Sequence, residues 1–298
     1  MSLFDFFKRL IKRDIHGIKL QMLLSTPSPH APLIALQYVR HEIGDPYLER
    51  EVWWILENAL KPAIGQLYVY IQQNPALLRE ALDWLLKAAR YTELLYKYQR
   101  QRHMMSVQEL LELQQLRSNL GLAIPPVVRM FASNFPWSKR PGVYRGLAFS
   151  AKILVEAAKR LGLTPEELLD FLSRLDSMIR SKMEERKELQ GANPIVVLSN
   201  ILMEQKVVND PMQAQALAFT LLFLKHLLWG NLVTSAAMLS GVSGRSLNPN
   251  PQAAQWARAV LEWILGPDLV RLIEEYIWRA TNFALSGVTF KPRSNAEF

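Results

Sequence analysis

At six places in this chain a residue suited to capping a helix stands directly before a proline that opens a helically spaced run: Asp45-Pro46, Asn74-Pro75, Thr164-Pro165, Asn193-Pro194, Asp210-Pro211 and Asn250-Pro251. A short polar side chain at that place accepts a hydrogen bond from the unpaired N–H groups of a helix's first turn. The proline that follows loses nothing by lacking an N–H, and its φ is already set for the helix. Each pair therefore marks a helix start. Between the pairs, apolar residues recur at helical spacing, and alternating, strand-like runs are almost absent. The sequence predicts an all-α protein of about ten to thirteen helices.

The remaining punctuation places the elements. Ser2 caps a first amphipathic helix expected to reach Leu24, and TPSPHAP (26–32) breaks it. A short helix over 33–43 ends at Gly44. A long one then runs from Pro46 to Gln73, kinked at Pro62, and another from Asn74 to Arg102. Ser106 and Glu109 have capping-box spacing and open a helix that Gly121 ends. From Leu120 to Gly142 the pattern fails around Pro125, Pro126, Pro136 and Pro141, which predicts a Pro-rich loop and a lobe boundary. Helices resume over 142–161, and a second capping box at Thr164 and Glu167 opens 165–189. Gly266-Pro267 punctuates the last pair. The expected organisation is an arm helix (1–24), an N-terminal lobe (25–120), a basic and aromatic loop (121–142), a C-terminal lobe (143–285) and a tail (286–298). No internal repeat suggests a solenoid.

Composition excludes several chemistries. Half of the 298 residues are hydrophobic and 21% are charged, which rules out bulk disorder. With no cysteine there is no disulfide, thiolate zinc site or cysteine nucleophile. The five histidines form no HExxH, since His41-Glu42 is followed by Ile-Gly-Asp. Asp45, Asp83, Asp176 and Asp210 are scattered rather than clustered for two metals. SGVSGRS (240–246) matches neither a phosphate loop nor a nucleophile elbow. A non-enzymatic protein is expected, with no catalytic residue, metal or cofactor, although catalytic groups scattered through a fold would leave no linear trace. The longest apolar stretch, 214–233, carries Lys225 and His226 near its middle and reads as a core helix rather than a membrane span. The first twenty residues lack the clean apolar run of a secretory leader, so an intracellular place or a nucleoprotein particle is expected.

Charge is where function shows. The net charge is +8, and residues 121–160 alone contribute +6, from seven bases against Glu156. Residues 161–210 carry −3. Within the basic segment, FPWSKRPGVYR (135–145) combines three aromatics with three fixed positive charges and no acid. Lysine and arginine neutralise phosphates, and exposed aromatic rings stack on unpaired bases. Arg145, Lys152 and Lys159 follow at seven-residue spacing, on one helical face. A second basic-aromatic stretch, RYTELLYKYQRQRH (90–103), is expected to face the first across a cleft. The candidate nucleic-acid contacts are Arg129, Trp137, Lys139, Arg140, Tyr144, Arg145, Lys152 and Lys159, with Lys97, Arg100 and Arg102 from the second stretch. DNA and RNA are not distinguished.

The first helix carries Lys8, Arg9, Lys12, Arg13 and Lys19 beside Phe4, Phe7, Leu10, Ile11 and Ile15. Such a helix suits a membrane surface or a partner subunit, so the alternative reading is a scaffold or peripheral-membrane protein docking through it. The tail carries Phe290 and Phe298 among polar residues. Two detachable apolar ends predict a homo-oligomer linked by 1–24, by 286–298, or by both. Two helical lobes, a basic cleft and separable ends are similar in outline to viral nucleoproteins that polymerise along a genome. That likeness of shape implies a self-assembling packaging protein of a virus or mobile element and assigns no residue a role.

Overall fold

A computed structural model of the chain describes residues 14–58, 62–121, 123–242 and 247–291. Fourteen α-helices and no strand lie among them. In chain order they are α1 (Ile15–Leu23), α2 (Ala31–Tyr38), α3 (Pro46–Asn58), α4 (Ile64–Tyr70), α5 (Pro75–Gln101), α6 (Val107–Leu120) and α7 (Pro126–Ser133). The second half holds α8 (Arg140–Leu161), α9 (Pro165–Glu185), α10 (Pro194–Glu204), α11 (Pro211–Trp229), α12 (Leu232–Ser240), α13 (Pro251–Leu265) and α14 (Pro267–Leu285).

All six cap-proline pairs start helices. Asn74 accepts from the N–H groups of Ala76 and Leu77 at 3.0 and 3.3 Å, and Asn193 accepts from Ile195 at 2.9 Å. Asp210 accepts from Gln213 at 2.8 Å, Asn250 from Gln252 and Ala253, and Asp45 from Tyr47 and Leu48. Both capping boxes, Ser106 with Glu109 and Thr164 with Glu167, are reciprocal.

Three boundaries differ from expectation. The helix expected from Ser2 has a start at Ile15, because Asp14 turns its carboxylate onto the Gly17 N–H at 2.9 Å and forms an N-cap. Lys8, Arg9, Lys12, Arg13 and the aromatic residues beside them lie outside the described residues, as does Phe298. Pro62 does not kink one long helix. It sits between α3 and α4, and the first N–H of α4, on Ile64, donates to the buried Ser150 hydroxyl of α8 at 2.9 Å. The loop expected at 121–142 is largely helical: it holds α7, a 3₁₀ turn at Trp137–Lys139 and the first residues of α8. Pro126 and Pro141 lie in first turns, where proline is compatible with a helix, so residues that read as breakers are starters. Splitting at Pro62, α7, and the Gly230 left-handed cap between α11 and α12 carry the count past thirteen.

Helix α8 lies at the centre. Its buried positions Val143, Leu147, Ala151, Leu154 and Ala158 form a stripe, and it packs against α4, α5, α7, α9, α13 and α14. Its pairing with α5 is the most extensive among the described helices. Buried side chains from before and after 121–142 join one continuous core, in which α2 and α3 touch α12 and α14. Where α4 meets α11, Gly65 is required. A Cβ there would lie 2.5 Å from the Trp229 ring and 2.8 Å from the Leu228 carbonyl oxygen. The start of the tail folds back on its own chain: Phe290 is buried and its N–H donates to Asp14 at 2.5 Å. Residues 286–291 thus pack on their own chain in this structure.

The apolar stretch 214–233 supplies α11 and part of α12, deep in the core. Among the described residues no helix is long and apolar enough to cross a membrane. Lys225 is buried and pairs with Asp176 of α9. Burial, with the neighbouring ammonium of Lys225, holds the His226 imidazole below its ordinary pKa, while Asp176 acts the other way. Burial also lowers His30. As pH falls through about 6.5, the unfolded chain takes up protons that these folded imidazoles refuse, so stability is lost with acidification. Glu57 and Glu274, raised by burial, act in the opposite sense above the ordinary carboxylate range. Replacing His226 with glutamine should shrink the fall in melting temperature between about pH 7 and about pH 5. A steeper fall in the variant would contradict this assignment.

Candidate nucleic-acid interface

The two basic-aromatic stretches do face each other, because α5 lies along α8. With α6 and α14 they enclose a cavity of about 810 Å³. Tyr91, Leu95 and Tyr96 of α5 line it opposite Tyr144, Arg145 and Phe149 of α8. Its lining is mainly apolar, so the cleft is aromatic with arginines among its walls rather than basic throughout.

Half of the fixed positive charges in the second stretch are neutralised within the protein. Lys97 pairs with Glu109 of α6 at 2.7 Å, and Arg90 pairs with Glu112 at 2.9 Å. The bond from Lys97 holds the Glu109 carboxyl below its usual range, and the bond from Arg90 does so for Glu112. Arg100 lies over the Tyr96 ring, 5.1 Å from its centroid, and Arg102 lies over Tyr98 at 4.9 Å. Lys152 pairs with Glu93 of α5, so the row 145–152–159 loses its middle charge to a helix–helix contact. Lys97 and Lys152 are thus both held by acids of neighbouring helices. Neither partner is adjacent in sequence.

The corner before α8 is different. Trp137 is 80% exposed, and the Arg140 guanidinium lies 5.1 Å from its ring centroid. Arg140 Nε also donates to the Phe135 carbonyl at 3.3 Å, which fixes the guanidinium beside the indole. Phe135 itself packs inward against Phe131, so of the loop's aromatics it is structural. Tyr144 meets Trp84 edge-on at 5.8 Å in the cavity wall and is not part of the exposed face. Lys139, Arg145 and Lys159 are exposed; Arg145 Nε donates to the Pro141 carbonyl of its own helix at 3.3 Å. Arg129 is exposed on α7, its guanidinium 3.3 Å from the Ile124 carbonyl.

The sequence reading missed residues that only tertiary folding brings in. Arg117 from the end of α6, and Glu275, Tyr276, Arg279 and Phe283 from α14, line the cavity. Arg279 pairs with Glu275 at 2.5 Å and lies over Tyr96, whose ring meets two guanidiniums. In sequence, Glu275 and Arg279 look like an ordinary surface i,i+4 pair. Two wall residues keep polar atoms without a hydrogen bond, Trp84 Nε1 and the Tyr276 hydroxyl. Burial pushes the Tyr276 phenol well above its ordinary pKa, with nearby Ser150 a smaller opposing influence. Among the described residues no group of histidines and carboxylates is arranged to hold a metal ion. Comparison with protein-family models, with curated proteins and with solved structures finds no match.

Proposed function

We propose that this protein is a non-enzymatic binder of single-stranded nucleic acid and assembles as a homo-oligomer along it. The observation that carries the reading is Trp137. A large indole left four-fifths in water, with a guanidinium over it and Lys139 beside it, offers an unpaired base a stacking face next to charges for its phosphates. Folding does not need that ring outside. Arg129, Lys139, Arg140 and Lys159 supply the phosphate contacts in this reading, whereas Arg145 lines the cavity wall. Arg100 and Arg102, held over tyrosines, keep their charge and add to the field around the cleft. Assembly in this reading runs through residues 1–24, through 286–298, or through both, and Ile15, Ile18, Met22 and Leu23 of α1 are exposed. The direct test is purification without nuclease. The expected result is a 260/280 absorbance ratio above that of protein alone, which drops after nuclease and high salt. Protein free of nucleic acid that also fails to bind an added oligonucleotide at low salt would overturn the reading.

A further inference from the structure

The cavity between α5, α6, α8 and α14 differs in kind from the Trp137 corner. Its volume of about 810 Å³ falls within the range of small-molecule sites, and its walls include Tyr91, Leu95, Leu120, Ile124, Phe149 and Phe283. Three arginines, Arg117, Arg145 and Arg279, are among its lining residues, against one acid, Glu275. Glu275 is already paired with Arg279. Arg117 and Arg145 therefore come from two helices onto an apolar cavity with no carboxylate partner among the described residues. We propose that this cavity binds a small amphipathic anion, with an apolar body of acyl-chain type and one carboxylate or phosphate head met by Arg117 and Arg145.

Charge complementarity selects an anion over a cation or a neutral lipid. The walls select an acyl body over a nucleobase. A base brought here would need hydrogen bonds for its edge atoms, and beyond Gln99, the hydroxyls of Tyr91, Tyr96 and Tyr144 and the charged side chains, the lining is apolar. The Thr92 hydroxyl already donates to the Ala88 carbonyl, and the unpaired atoms of Trp84 and Tyr276 are sealed from solvent. A polar edge buried without partners is costly, whereas an alkyl chain has none to satisfy. The proposal does not depend on nucleic-acid binding at Trp137.

Calorimetry with four ligands of one chain length, all below their micelle concentrations, tests it: dodecanoate, dodecyl phosphate, dodecanol and dodecyltrimethylammonium. The expected result is one site per chain, with the better of the two anions binding at least about tenfold more tightly than the alcohol and the cation. Which anion binds better tells a carboxylate head from a phosphate head. Arg117→Ala should lose about tenfold for that anion and little for the alcohol. Ala88→Trp, which places a ring in the cavity, should abolish binding. Because that variant can fail to fold, quenching of tryptophan fluorescence by a brominated dodecanoate in the unaltered protein is the second readout, with Trp84 in the wall as reporter. Equal binding of anion, alcohol and cation, many molecules per chain, or indifference to Arg117→Ala would overturn the proposal. So would stoichiometric displacement of dodecanoate by a single-stranded oligonucleotide, which would make the cavity part of the nucleic-acid interface. Dodecanoate bound by a protein that binds no oligonucleotide would instead defeat only the nucleic-acid reading.

Discussion

Replacing Trp137 with alanine should weaken binding of a single-stranded oligonucleotide by about 1–3 kcal/mol, the usual contribution of one base stacked on one aromatic ring. The melting temperature should stay close to that of the unaltered protein, because an indole 80% in water contributes little burial to folding. Salt dependence should hardly change, since stacking releases no counterions. Affinity, stability and salt slope therefore respond differently, which separates a stacking platform from a packing residue. Trp137→Phe should recover much of the lost affinity, as a smaller ring still offers a face. A variant that loses melting temperature and keeps its affinity would return Trp137 to a structural role.

A comparable effect, on stability rather than binding, is expected at Lys225. This side chain is buried in α11 and its charge is met by Asp176 of α9, whose own side chain is 67% exposed. The pair is thus buried at one end and wet at the other. Asp176→Ala should lower the unfolding free energy by about 1–3 kcal/mol, the cost of leaving a buried donor without its partner. The range of about 3–5 kcal/mol for a fully buried pair is not expected, because water reaches the acid's side. Replacing Lys225 with methionine keeps the stem's packing and removes the charge. It should be nearly neutral alone and should restore most of the stability lost in Asp176→Ala. Urea denaturation of the two single variants and the double one gives the coupling directly. Equal losses in both single variants, adding in the double, would contradict this account of the pair.

How far the chain could be read varies with how local each signal is. The cap-proline pairs act within one turn of backbone, and all six open helices where the sequence places them. The same locality misleads at 121–142. Pro126 and Pro141 are alike in sequence whether they break a helix or begin one, and α7 is too short for apolar spacing to declare it. Charge segregation and the aromatic-basic composition of 135–145 were legible, and the exposure of Trp137 fits them. The state of each charge was not. Lys97 meets an acid twelve positions away and Lys152 meets one fifty-nine positions away, and no linear rule pairs them. Arg117, Arg279 and Phe283 reach the cavity only because α6 and α14 pack beside α5 and α8, so they carry no sequence signal at all.

The most direct measurement is fluorescence anisotropy of a labelled single-stranded oligonucleotide titrated with the protein across a series of salt concentrations. For the unaltered chain the observed constant should fall steeply with salt. Lys139→Ala and Lys159→Ala, each removing an exposed cation, should each flatten the log–log slope by about 0.7. Lys97→Ala should leave the slope unchanged, because that charge is already spent on Glu109. Absent binding at low salt, or a slope that responds to Lys97 and not to Lys139 and Lys159, would contradict the account.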